Sequence, residues 1–148
     1  MPTTYRGGCL CGAIRYEIAA EPIFGGQCQC LDCQRETGGG HASFMAFPAG
    51  AVKLTGTPRF YEAKADSGNT VRRGFCPTCG SPVVGHSSGL PDTTTIAAGS
   101  LDDPSVFKPQ FVVYTSRGHA WDHVDPAVPS FPKMPPMPTG DQQQERRA

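Results

Sequence analysis

The sequence predicts an all-β domain, mainly antiparallel short sheets with little helix. Three observations point there. Eighteen glycines and fifteen prolines among 148 residues mark many turns, well above the roughly 12% that the two together usually make. Short β-prone runs lie between those turns. No segment keeps a 3.6-residue apolar period beyond two turns, so long helices are not expected, and no internal repeat recurs at about 20–50 residues.

Ala13–Ile18 alternates apolar and polar residues, as a half-buried strand does. Pro22–Gln27 reads as a short strand leading into Cys28. Asp32–Glu36 has room for one helical turn, which Gly38-Gly39-Gly40 ends. Ala42–Phe47 is apolar enough for a buried strand, and Pro48 stops it. Val52–Thr55 runs to a turn at Gly56. Phe60–Ala63 and Asn69–Phe75 read as two strands around a polar Asp66-Ser67-Gly68 turn. Pro82–His86 and Thr93–Ala97 continue the pattern, Leu101–Pro104 reads as a turn or a helix cap, and Gln110–Tyr114 is the last strand. Trp121 and Phe131, near the end, are expected to cap the core.

Residues 1–132 are expected to form a single domain, long enough for a real hydrophobic core. Residues 133–148 are proline-rich and then polar, too poor in apolar area to offset ordering entropy, and read as a flexible tail. Thirteen basic residues balance thirteen acidic ones, which disfavours a nucleic-acid surface. No apolar run of about 18 residues predicts a membrane span. The N-terminus lacks an apolar leader segment, so the expected location is the cytoplasm, where thiols stay reduced.

Seven cysteines fall into three groups: Cys9-x-Cys11, Cys28-x-Cys30-x-x-Cys33 and Cys76-x-x-Cys79. Their number and spacing fit metal ligation better than disulfides, and seven divides as four plus three. Cys-x-x-Cys curls both sulfurs toward one point, with Pro77 setting the turn and Gly80 permitting its last dihedral. A thioredoxin-like pair shares the spacing but needs a βαβ setting, which is not evident. Cys9 and Cys11 are the natural partners of Cys76 and Cys79. Positions i and i+2 of a flat strand lie roughly 6.6 Å apart, whereas two sulfurs on one zinc lie about 3.8 Å apart, so the chain must bend there.

Cys28, Cys30 and Cys33 then remain as a three-thiolate group. Zinc held by three ligands keeps one exchangeable position, open to water or a thiol. Asp32, His41, His86, His119 and His123 are the candidates for a fourth ligand that would close it instead.

These motifs resemble the glutathione-dependent formaldehyde-activating enzyme family, which also includes centromere protein V. Gly8-Cys-Leu-Cys-Gly12 is similar to its opening motif. Cys28-x-Cys-x-x-Cys33 with Thr37-Gly38 is similar to the second, and Phe75-Cys-Pro-x-Cys-Gly-Ser81 to the third. Gly99–Pro104, Trp121 and Val128–Phe131 resemble the family's closing segments. The resemblance implies a zinc-stabilised β-tent fold with two Zn2+ per chain: a structural zinc on Cys9, Cys11, Cys76 and Cys79, and a catalytic zinc on Cys28, Cys30 and Cys33. It also implies a carbon–sulfur lyase that adds glutathione to formaldehyde reversibly. Two positions depart from the family pattern, Gln29 where His is common and Phe111–Tyr114 where a His-Ile-Trp-like run is common.

In that reading the partners are a small-molecule thiol and an aldehyde. Arg35, beside the cluster, is the first choice for a substrate carboxylate, followed by Arg72 or Arg73. The alternative is a non-catalytic zinc module that recognises a protein or metabolite, with both metals structural.

Overall fold

A computed structural model describes residues 3–135. Ten strands and one helix follow in the order β1 (Thr4–Gly8), β2 (Arg15–Ala19), β3 (Phe24–Cys28), α1 (Leu31–Thr37), β4 (Ala42–Pro48), β5 (Val52–Thr55), β6 (Arg59–Lys64), β7 (Thr70–Phe75), β8 (Pro82–Ser87), β9 (Thr93–Ala97) and β10 (Val112–Val113). They form a three-stranded sheet, β1-β2-β5, and a seven-stranded sheet, β10-β3-β4-β9-β8-β7-β6. The protein is all-β, as expected. Every ladder is antiparallel except β10 on β3, which runs parallel.

The alternation in β2 decides how the small sheet faces the core. Tyr16 and Ile18 are buried while Arg15 and Glu17 face solvent, so one side of the strand is apolar. That side meets Met45 and Phe47 of β4, Val83 and Val84 of β8, Ile96 of β9 and Leu101, forming one core that also includes Cys9 and Cys76. The Tyr5 ring packs on Phe47 with centroids 5.2 Å apart. Tyr16 carries a hydroxyl into this core, where it lies 2.7 Å from Ser100 Oγ, and burial pushes its phenol up to about 12.

A second, purely aromatic group covers the far end of β3. Phe24, Phe44 and Phe111 pack pairwise at 5.9 to 6.4 Å between centroids. The last strand is shorter than the sequence suggests, although Gln110 N–H still donates to Gly25 O and Gln27 N–H to Phe111 O, both at 3.0 Å. Only Val112 and Val113 pair with β3, opposite Gln27 and Cys28, and Tyr114 turns away at φ 59°. On the other side of β10, Val112 N–H donates to Pro129 O and Phe131 N–H to Val112 O, both at 2.9 Å.

Trp121 does not cap the core. It is 65% exposed and stacks on His119 at 5.1 Å, because hydrogen bonds rather than apolar packing hold its loop. Phe131 is half-buried. Of the expected tail, residues 136–148 lie outside the described residues. Among the described residues no helix is long and apolar enough to cross a membrane.

Candidate metal centres

The turn after β1 bends where the sulfurs require it. Gly12 N–H donates to Cys9 O at 3.2 Å and Cys9 N–H to Ile14 O at 3.0 Å, which brings the Cys9 and Cys11 sulfurs to 3.6 Å. Cys76–Cys79 forms the turn between β7 and β8. Gly80, at φ 79°, returns its N–H to Cys76 O at 2.8 Å; a side chain would be strained there. Cys11 Sγ then lies 3.7 Å from Cys76 Sγ. Ser81 Oγ ties the two turns together, accepting from Leu10 N–H at 3.1 Å and lying 3.2 Å from Cys79 Sγ. All four sulfurs lie within 4.8 Å of one another. The Cys9–Cys11 and Cys11–Cys76 separations lie close to the edge of about 3.8 Å for thiolates on one tetrahedral zinc, so these residues fit such a metal.

Cys28 ends β3, Cys30 caps α1 by accepting Cys33 N–H at 3.3 Å, and Cys33 stands in the first helical turn. Their sulfurs also lie within 4.8 Å of one another. Hydrogen bonds from Cys28, then Cys33, pull Cys30 down to about 2. The bond to Cys30 pushes Cys28 up to about 12, and bonds to Cys28 and Cys30 push Cys33 up as well. Three sulfurs this close make a donor set that fits a soft divalent cation, which would favour their ionised form.

Among the described residues no histidine, aspartate or glutamate joins the triplet as a fourth ligand. His41 is taken up by Asp122, with Nδ1 2.8 and 2.9 Å from its two oxygens; because a carboxylate only accepts, Nδ1 carries the proton. His119 Nε2 lies 2.9 Å from Gln34 Oε1. His86 packs on Phe60 at 5.7 Å, and Asp32 and His123 are exposed.

A cavity of about 580 Å³ opens on the three cysteines. Arg35, Arg73 and Arg117 line it, with Asp32, Asp66 and Tyr114. Arg73 is partly committed to Glu36 at 3.2 Å. Arg72, the other expected choice, is not among the lining residues: it binds Glu62 at 3.0 Å and lies 4.3 Å over the Phe60 ring. As the neighbour of Arg73 in β7 it projects from the opposite face of the sheet. Arg117 was invisible in the sequence because nothing local marks it; Gln34, whose Nε2 donates to Arg117 O at 3.0 Å, delivers it. Burial and the negative groups around it, Asp66 first among them, raise the Tyr114 phenol above its ordinary range.

Gln29 faces away from the cavity. It is 3% exposed and donates through Nε2 to Asp122 Oδ2 at 3.1 Å. The backbone of Gly118 packs so closely on it that a Cβ there would come within 2.7 Å of Gln29 Oε1. Burial alone would raise the Asp122 carboxyl, but hydrogen bonds from His41 and Gln29 hold it below the usual carboxylate range. The three side chains form a prop behind the triplet that sequence spacing does not reveal.

Fold and sites together define a small all-β protein with two cysteine clusters able to hold metal ions, one of them beside a cavity. The family model described as glutathione-dependent formaldehyde-activating enzyme matches residues 4–117, and the chain belongs to that family. No curated protein matches it. The crystal structure of a Rhodobacter sphaeroides protein, a Northeast Structural Genomics target, is similar in fold, with a TM-score of 0.55 at 16% identity over 85% of this chain and 98% of that one.

Proposed function

We propose that the protein is a zinc-dependent carbon–sulfur lyase that catalyses the reversible addition of a thiol, glutathione or similar, to a small aldehyde such as formaldehyde. The observation that carries this reading is the contrast between a tetrad of sulfurs and a triplet that has no fourth ligand among the described residues and opens on a cavity lined by arginines. Family membership supports it.

In this reading Cys9, Cys11, Cys76 and Cys79 hold a structural zinc. Cys28, Cys30 and Cys33 hold a second, which when bound supplies an open coordination position that favours ionisation of a substrate thiol. Arg35 and Arg117 take the substrate's carboxylates. Both line the cavity and are exposed, and guanidinium forks pair well with carboxylates. Arg73, already bound to Glu36, is the weaker choice. The cavity walls hold the thiol and the carbonyl carbon together, and this positioning supplies much of the gain for a reaction already quick in water. Seven reduced thiols call for a reducing compartment, the cytosol.

Zinc per chain, measured on reduced protein before and after mild chelation, tests the reading together with adduct formation from glutathione and formaldehyde. Two zincs, one easily removed, with turnover lost alongside it, are expected. One tightly held zinc and no turnover would leave a non-catalytic binding module.

A further inference from the structure

Tyr114 is the one non-glycine residue among those described with a positive φ, at φ 59° and ψ 38°. A side chain in this left-handed region costs about 1–2 kcal/mol. Elsewhere the chain meets the same need with glycine, as at Gly38 and Gly80. Neighbouring hydrogen bonds hold the conformation: Gln29 N–H donates to Val113 O at 3.0 Å and Thr115 N–H to Phe131 O at 3.1 Å. A backbone outlier so fixed, occupied by a bulky aromatic residue, points to a task for the side chain.

The position of the ring indicates the task. Tyr114 lines the same cavity as Cys28, Cys30 and Cys33, and its half-buried phenol takes up no hydrogen-bond partner among the described residues. Arg35 and Arg117 are exposed and suit the remote carboxylates. A neutral donor at the reacting end is left to Tyr114.

We propose that Tyr114 is a catalytic residue whose phenolic O–H donates a hydrogen bond to the aldehyde oxygen as sulfur attacks the carbonyl carbon. The inference rests on the thiol–aldehyde reading above. The S–C bond forms, the carbonyl π pair moves onto oxygen, and the proton lost by the thiol ends on that oxygen, so the thiohemiacetal is neutral and the phenol is unchanged. In the reverse direction the same donor receives the developing carbonyl. A donor aimed at developing oxyanion charge acts mainly in the transition state.

Tyr114→Phe keeps the ring and removes the hydroxyl. With zinc-loaded protein, glutathione and formaldehyde, the enzyme-dependent rate should fall about 100-fold, while melting temperature and zinc content stay unchanged. By calorimetry, wild type should bind S-(2-hydroxyethyl)glutathione about tenfold more tightly than S-propylglutathione, and the variant should lose that preference. Tyr114→Asn tolerates the left-handed backbone, so it should melt no lower than wild type and be as inactive as the Phe variant. Full turnover in Tyr114→Phe overturns the proposal and leaves the lyase reading intact. A lower melting temperature for Tyr114→Asn shows that the ring is kept for packing and also overturns it. A wild type that does not accelerate the addition overturns the lyase reading itself, and this inference falls with it.

Discussion

Cys9, Cys11, Cys76 and Cys79 come from two turns far apart in the chain, Cys11 and Cys76 being 65 residues apart, whereas Cys28, Cys30 and Cys33 lie within one strand end and one helical turn. The same ligand therefore does different physical work in the two places. A metal on the tetrad closes a long loop and fastens the β1-β2 turn to the β7-β8 turn, so its binding energy enters the fold directly. A metal on the triplet closes almost no chain, because Cys30 already caps α1 and β3 already delivers Cys28. In the proposed reading, loop length and ligand count together separate a clamp from a site that can exchange its fourth partner.

Serine substitutions in the two clusters give the strongest test of this contrast. Cys76→Ser should leave no cooperatively folded protein, since structural zinc sites contribute about 10–16 kcal/mol against a net domain stability of about 5–15 kcal/mol. Cys30→Ser should keep a cooperative thermal transition and one zinc, and lose the second zinc along with turnover. Near-ultraviolet circular dichroism and elemental analysis of the two variants check this. If Cys30→Ser unfolds as completely as Cys76→Ser, the triplet is a second clamp and the contrast fails.

A smaller effect is expected from the prop behind the triplet. Asp122 has a side chain only 10% exposed and accepts from both Gln29 and His41. Asp122→Ala strands the buried Gln29 amide and should cost about 1–3 kcal/mol, read as a melting-temperature loss on the order of 2–4 °C per kcal/mol for a chain of this size. The zinc of the triplet should also leave faster on chelation while the tetrad holds its own. Equal acceleration at both clusters would mean that Asp122 supports the whole fold and not the triplet.

The sequence shows the tetrad more fully than the triplet's surroundings, and the reason is physical. Cys-x-x-Cys-Gly and Gly-Cys-x-Cys-Gly are local instructions: the spacing sets the sulfur geometry and the glycines permit the turns, so ligands and bends can be read before folding. The strands are legible for the same reason, Thr93–Ala97 and Val52–Thr55 falling where their β-prone runs place them. Asp122, Arg117 and Tyr114 reach the triplet by long-range contacts, through Gln29, Gln34 and the pairing of β10 with β3, and no local spacing encodes those. β1 is not legible in the sequence because Gly7 and Gly8 weaken its strand pattern, and what holds it is pairing with β2. A lone tryptophan near a domain's end suggests a core cap, but the Trp121 loop is held by polar contacts and stacking on His119.

The hairpin of β7 and β8 carries the tetrad's second turn at one end, and at the other Ser87 and Asn69 line the cavity at the triplet. His86 sits in its second strand, so its titration weakens the link between the clusters with no ligand changed. Burial first, and the Arg72 charge second, hold its imidazole below the ordinary value of 6.5. The unfolded chain therefore takes up a proton at a higher pH than the folded one, and protonation favours unfolding. The stability that neutral His86 contributes is fully present above pH 6.5 and is lost as the pH falls through the lower, folded value. Melting temperatures about one unit above and one unit below the free-imidazole value should therefore differ more in wild type than in His86→Gln, where this titration is absent. Thiolate protonation also destabilises both proteins on the acid side, so the comparison is made at matched zinc content and the difference between the two proteins isolates His86. The effect is expected to be the smallest of the three, because the ring is only half-buried and solvent screens the Arg72 charge. An identical acid-side loss in wild type and His86→Gln would assign the whole pH dependence to the cysteine clusters.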